Sequence, residues 1–293
     1  KEKYGHVQFG WGGGMEHQTA TFIVSPGEGL MAHELAHQWF GDKITCASWV
    51  DIWLNEGFAT HLASIYNETK YPANIITTRK NEISSITSQP GGSVKVDDTT
   101  SVGRIFDGRL SYNKGSHLLY MLRWILGDSV FFQAVRQYAK DPKVSYGFAI
   151  TNDLKKNLEQ VSGKDLTKFF KDWYEGQGYP SYTVEWTALG SSYVKIKMNQ
   201  TTSHPSVSFF NLPVALNFKN ATQQKTIVLD NTVNGEIFFR NIGFIPDTVL
   251  IDPEYWLITR NNVSRKVPDA ANGQNIVQVF PNPIQSQFYV YLR

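Results

Sequence analysis

The stretch HELAHQWFGD, His33 to Asp42, sets two imidazoles four residues apart with a carboxylate directly after the first. On a helix, positions four apart differ by about 40° in azimuth and about 6 Å in height. His33 and His37 therefore point the same way and can reach one ion. Zinc binds imidazole nitrogen at about 2.0–2.1 Å and takes four ligands in a tetrahedron. Glu34 lies about 100° further round, which puts it beside such an ion, where a base for an activated water should stand. The plain alternative is two histidines on a solvated or packed helix face. Against it, a chain with 7 histidines in 293 residues carries His-Glu-x-x-His by chance in about one case per hundred.

A zinc site of this kind needs a third protein ligand. WLNEGFAT offers Glu56, 19 residues past His37. Its neighbours Trp53, Leu54, Phe58 and Ala59 are a poor setting for an unpaired charge, and a cation partner would relieve that cost. An antiparallel helix reached through the GDKITCAS loop could bring Glu56 back over the histidine pair. Asp51 and Glu68 have less apolar settings and rank lower. His61 reads as structural.

These side chains need helices to carry them. Leu30, Met31, Leu35 and Trp39 recur near a 3.6 period from about Glu28, and Gly41 can end that helix. Ser48 with Asp51 three residues on is the pattern of a capping box for the next helix, whose apolar stripe is IWLNEGFATHLASIY. Further helices are predicted at about Ala73–Ile86, Leu110–Leu126, Val130–Ala139, Asn152–Val161 and Leu166–Tyr174. After GQGYPS the period changes to two. YTVEW, YVKIKM, PVALNF, KTIVL, EIFF and TVLI are short runs separated by Asn, Gly and Pro, the pattern of a small antiparallel β-sandwich. HQTATFIV, ahead of the first helix, also reads as a strand.

Taken together, the chain resembles the M1 family of zinc aminopeptidases, gluzincins related to aminopeptidase N. HELAHQWFGD followed by WLNEGFAT matches that family's His-Glu-x-x-His-x18-Glu core without a gap. GGMEH, Gly13 to His17, is similar to its Gly-x-Met-Glu-Asn exopeptidase motif, with His17 in place of the asparagine. FDGRLSYNKGSHLLYML resembles the segment with the catalytic tyrosine, which falls on Tyr112, and FFKDWYEGQGYP resembles the end of the helical region. The match runs from about Gly12 to Pro180.

The resemblance implies an α+β chain: a mostly helical, thermolysin-like zinc peptidase domain over 1–180, then the β-sandwich over 181–262. It implies one zinc ion on His33, His37 and Glu56, with Glu34 and Tyr112 as catalytic groups. Gly13, Gly14, Met15, Glu16 and His17 would bind the substrate, a peptide with a free N-terminus. Glu16 would attract the cationic α-amine, which an internal peptide bond lacks. Family members carry a large β-rich domain before the Gly-x-Met-Glu motif. Here 12 residues precede Gly13, so that N-terminal domain is an expected partner. A thermolysin-like endopeptidase and an inactive zinc-binding scaffold are the competing readings.

Composition narrows the field. Basic and acidic residues number 28 and 26, which leaves no broad basic field for nucleic acid. Cys46 is the one cysteine, so no disulfide forms within the chain. The longest apolar run, HLLYMLRWIL, is broken by Arg123 and too short to span a bilayer. Residues 263–293 read as a linker and the start of a further segment. There, VFPNP followed by QFYVYL resembles the opening of the C-terminal sorting domain of type IX secretion in Bacteroidetes-type bacteria. That resemblance implies a secreted, cell-surface or periplasmic protein, with a cytoplasmic one as the alternative.

Overall fold

The computed structural model describes residues 3–268 and, beyond them, the backbone of two short paired strands, Gln278–Phe280 and Tyr289–Tyr291. The sorting-domain reading of the tail otherwise falls outside the described residues. The chain mixes helices with several small sheets. It divides into two units. The first comprises Lys1–Pro180, Thr202–Phe210 and Glu254–Arg260; the second comprises Ser181–Thr201, Asn211–Pro253 and Asn261–Arg293.

In the first unit, strands β1 (Gly5–Gln8), β2 (Gly14–Met15) and β3 (Ala20–Ile23) form a sheet in the order β1-β3-β2. β1 runs parallel to β3 and β2 antiparallel, with Gly14 opposite Ile23 and Met15 opposite Phe22. Helix α1 (Glu28–His37) follows. Strand β4 (Ile44–Cys46) then pairs in parallel with β5 (Gly147–Ala149). The remaining helices are α2 (Trp53–Lys70), α3 (Ile75–Ile86), α4 (Val102–Ile105), α5 (Gly115–Leu126), α6 (Asp128–Tyr138), α7 (Thr151–Ser162) and α8 (Thr167–Phe170). α5 is apolar on most sides, and Leu118, Leu119, Tyr120, Met121 and Leu122 are all 0% exposed. Such a helix belongs at the centre of a helical layer. The Phe40 ring stacks on Phe58 of α2 at 4.2 Å, which locks the end of α1 against its partner. Among the described residues no helix is long and apolar enough to cross a membrane.

Three local expectations fail for identifiable reasons. Ser48 and Asp51 do not form a capping box for α2. Ser48 Oγ accepts from the Val50 amide and caps a 3-10 turn, Trp49–Asp51. Asp51 turns inward and accepts from the Thr151 amide (3.2 Å), the Thr151 hydroxyl (2.5 Å) and the Tyr174 hydroxyl (2.6 Å). The helix predicted over Leu110–Leu126 is split: the Asp107 carboxylate accepts from the Arg109 and Leu110 amides and starts a π-helical turn, Gly108–Lys114, ahead of α5. The Leu166–Tyr174 helix is likewise α8 followed by a π-helical turn, Lys171–Glu175.

The first unit also buries charge. Arg79 holds Glu68 through Nε and Nη2 (3.2 and 2.7 Å), and Arg123 reaches the other Glu68 oxygen at 3.0 Å. His117 Nδ1 lies 2.8 Å from Glu82. His61 packs edge-on against Tyr120 and Phe131. Burial, with Arg123, His117 and Arg79 adding to it, lowers its pKa well below the usual value.

The second unit is built from β6 (Pro180–Leu189), β7 (Tyr193–Thr202), β8 (Leu212–Lys219), β9 (Gln224–Asn231), β10 (Glu236–Asn241), β11 (Thr248–Ile251) and β12 (Val263–Lys266). They form two sheets, β10-β7-β6-β12 and β11-β8-β9. Alternate residues such as Tyr182, Val184 and Trp186, or Val214, Leu216 and Phe218, are buried, the period-two pattern of sheets with one inner face. The sheets are not purely antiparallel, because β12 runs parallel to β6. A parallel pair needs a long crossover, and the chain leaves this unit over Glu254–Arg260 before β12.

Two stability effects follow. Asp51→Ala removes the acceptor for three buried donors and should cost about 3 kcal/mol, read by urea unfolding; a loss within error would show the knot to be dispensable. His61 stays neutral when folded but takes a proton near pH 6.5 when unfolded. The unfolded chain therefore binds more protons below that pH, and the stability present above about pH 6.5 is lost as the pH falls. Exchange of His61 for leucine should flatten the loss between pH 7.5 and 5. An unchanged slope would place the titrating group elsewhere.

Candidate metal centre

Helix α1 presents His33 and His37 one turn apart, their rings at 80° with centroids 4.6 Å apart. Their Nε2 atoms are 3.0 Å from each other. Glu56, in the first turn of α2, brings Oε2 to 3.3 Å from both nitrogens. His37 is 1% exposed and Glu56 6%. The Phe40 carbonyl oxygen lies 2.9 Å from His37 Nδ1. A carbonyl can only accept, so Nδ1 carries the hydrogen and the Nε2 lone pair faces Glu56. On the outer side of His33, the Thr60 hydroxyl is 3.5 Å from Nδ1.

These separations test the fit of an ion. A tetrahedral cation with ligands at about 2.0–2.1 Å has ligand–ligand edges of about 3.3 Å. The three donors form a triangle of 3.0, 3.3 and 3.3 Å. Charge points the same way. Burial alone would raise the Glu56 pKa, but its bonds to His33 and His37 override this and hold it at about 2. Burial alone would lower His37; the Glu56 carboxylate lifts it to about 9. Positive charge, as a proton or an ion, is thus favoured between them. Among the described residues this is the one cluster of three or more His, Cys, Asp or Glu side chains with metal-ligand spacing. Asp51, engaged by Thr151 and Tyr174, and Glu68, engaged by two arginines, are committed elsewhere.

A cleft of about 820 Å³ reaches the triangle at Glu56. Gly14, Met15, Glu16, Glu56 and Tyr112 line it. Gly13 and His17 do not; Gly13 is exposed, and the His17 ring packs edge-on against Phe22 at 5.1 Å. Glu34 is 4% exposed, with Oε2 bound to no protein group. A Cβ on Gly14 would overlap Glu34 Oε1, so only glycine lets strand β2 pass this carboxyl. Burial, with Glu16 and Glu56 helping and His37 opposing, raises Glu34 to about 7. Tyr112 stands on the π-helical turn with its ring parallel to His33, centroids 6.0 Å apart. Burial, followed by the charge of Glu56 and a hydrogen bond to it, pushes the Tyr112 hydroxyl pKa well above the phenol range.

Two supporting residues escaped the sequence reading. Gln38, at the end of α1, donates from Nε2 to the Glu16 carbonyl (3.2 Å) and accepts from the Thr19 amide (3.0 Å). It fixes the Glu16 turn to the helix of the two histidines. Asn55 accepts from the Cys46 amide at 3.0 Å and holds the cleft wall to α2. Their adjacency to His37 and Glu56 was the available signal.

Residues 24–173, just over half of the chain, match the Peptidase family M1 domain. The chain is similar to Aminopeptidase 2 of Candida albicans, 34% identical over 179 residues covering 58% of this chain and 19% of that protein. It is similar to Aminopeptidase N of Lactococcus lactis, 37% identical over 164 residues, 53% and 19% of the two chains. The chain thus spans about a fifth of the length of these relatives. In fold it is similar to aminopeptidase A of Legionella pneumophila, solved with aspartic acid: TM-score 0.71, 18% identity, 89% of this chain and 31% of that one. It is also similar to an M1 zinc metallopeptidase mutant of Deinococcus radiodurans bound to a Tyr-Ser-Ala substrate: TM-score 0.53, 27% identity, 59% and 39%.

If the triangle is a cation site, Glu56→Gln removes its only anionic donor. Zinc affinity should fall by more than the 10- to 100-fold typical of an outer supporting residue, with the helical circular dichroism kept. Calorimetric titration showing unchanged affinity would refute the site.

Proposed function

The chain belongs to peptidase family M1, and on that premise we propose that it binds one zinc ion through His33, His37 and Glu56 and removes the N-terminal residue from peptides. In this reading residues 1–180 form a thermolysin-like catalytic domain and 181–262 a β-sandwich. The observation that carries it is the convergence of the three donors at 3.0–3.3 Å beside a cleft lined by Tyr112 and Glu16, with Glu34 packed behind Gly14 of its wall. The similarity to an M1 zinc metallopeptidase supports zinc as the metal.

A zinc ion there supplies Lewis acidity, polarising the scissile carbonyl and making water a better nucleophile near neutral pH. The chain's own residues do the rest. Glu34, buried and with one oxygen bound to no protein group, takes the proton of the attacking water and returns it to the leaving amine. The Tyr112 hydroxyl, kept protonated by burial and by Glu56, donates to the oxygen on which negative charge develops. Glu16 lines the same cleft, and among the described residues no lysine or arginine lines it. Its carboxylate attracts the α-ammonium group of the substrate and is left unpaired by an internal peptide bond. That preference favours an aminopeptidase over an endopeptidase.

The test compares short peptides with free and acetylated N-termini on the zinc-loaded chain. Amino acids should be released from free peptides only, and chelation should stop release until zinc is restored. Glu34→Gln should lower kcat by about 10²–10⁴-fold with zinc content unchanged. Glu16→Ala should erase most of the preference for a free amine. Equal cleavage of acetylated peptides would favour an endopeptidase. Stoichiometric zinc with no hydrolysis would favour an inactive scaffold.

A further inference from the structure

Helices α2 and α5 meet backbone to backbone at Gly57 and Gly115. A Cβ on Gly57 would lie 2.9 Å from the Gly115 carbonyl carbon and 3.2 Å from the Ser116 nitrogen. A Cβ on Gly115 would lie 3.2 Å from the Gly57 Cα and 3.3 Å from the Trp53 Cβ. Most of these neighbours are backbone atoms, which cannot rotate aside. Helix axes pack about 8–10 Å apart according to the side chains between them, so a methyl group here must push the helices apart.

Each glycine lies close in the chain to a residue of the cleft. Gly57 follows Glu56, and Gly115 ends the π-helical turn that carries Tyr112. That turn is held firmly at its other points. Asp107 caps its start, and the buried Lys114 donates to the Gly92 carbonyl at 2.8 Å. The turn runs directly into α5 at Gly115, so a shift of α5 there is passed into its C-terminal end. The triangle stands on α1 and α2, which also meet through the Phe40–Phe58 stack, and it takes no donor from α5.

We propose that the Gly57–Gly115 contact is a positioning device, which sets how deeply the Tyr112 hydroxyl stands over the donor triangle. Gly57 and Gly115 are positioning residues acting through Tyr112. This rests on the role given above to Tyr112 and deepens it: the oxyanion donor and the cation ligands lie on separate blocks whose spacing is fixed by two missing side chains. A methyl group at either position withdraws the hydroxyl and leaves the metal site whole. The closer approach at Gly57 makes substitution there the more damaging.

The test takes Gly57→Ala and Gly115→Ala, each alone and combined with Tyr112→Phe. Both single variants should bind zinc as the parent does and keep KM nearly unchanged. A displacement near 1 Å costs about 100-fold in rate, which is the fall in kcat expected for Gly57→Ala, with about 10-fold for the smaller shift of Gly115→Ala. Added to Tyr112→Phe, neither should cost anything more, because the hydroxyl they displace is already gone. A crystal structure of zinc-loaded Gly115→Ala should show the Tyr112 hydroxyl withdrawn from Glu56 with the triangle unchanged. Losses that add to that of Tyr112→Phe, zinc lost in step with turnover, or a hydroxyl in its parental place would overturn the proposal. If Gly57→Ala fails to fold, Gly115→Ala carries the test. Should the parent chain hydrolyse nothing, the functional reading falls alone, and the crystallographic displacement still decides the device.

Discussion

Three acceptor atoms within 3.0–3.3 Å of one another repel unless positive charge stands among them. Much of the first unit can be read as the means of holding that arrangement against its own repulsion. The Phe40 carbonyl fixes the hydrogen of His37 on the far nitrogen, and the Phe40 ring stacks on Phe58 of the helix that bears Glu56. One residue thus orients a donor of the triangle and clamps the two donor-bearing helices together. Burial of Glu56 and His37 then makes the demand for a cation stronger than it would be in water.

The same unit carries several other charged groups out of water, and three of its carboxylates are matched with specific partners. Asp51 takes three donors, Glu68 takes two arginines, and Glu82 takes His117. Glu34 is the contrast: it is as buried as these, yet one oxygen finds no protein donor. An unmatched carboxyl is costly in a scaffold, and its placement beside a cleft and the donor triangle is where such a cost has a use.

The convergence of His33, His37 and Glu56 was legible because it rests on the helical period, which sequence displays directly. Two histidines four apart needed only one helix, and Glu56 stood out by its apolar neighbours. Helix positions were legible for the same reason, as in α1, α3 and α7. What escaped depends on residues far apart in the chain. Asp51 looked like a cap because Ser48 stood three residues before it, but its partner Thr151 is 100 residues away. The π-helical turn at Gly108–Lys114 differs from an α-helix by one residue of winding, which apolar spacing does not reveal. Nor did any local signal announce that β12 enters parallel to β6. In the Gly13–His17 motif, the sequence could not tell which side chains turn to the cleft: Glu16 does, whereas His17 lies against Phe22.

The helical unit is not one continuous piece of the chain. The Glu254–Arg260 segment returns to it: the Trp256 ring lies 3.7 Å from the Arg79 guanidinium and stacks on Trp124, and Arg260 reaches the Thr87 carbonyl. A gene fragment ending near residue 180 would strip this patch from Arg79, itself 4% exposed. A cassette of residues 1–180 alone would therefore not carry the whole unit.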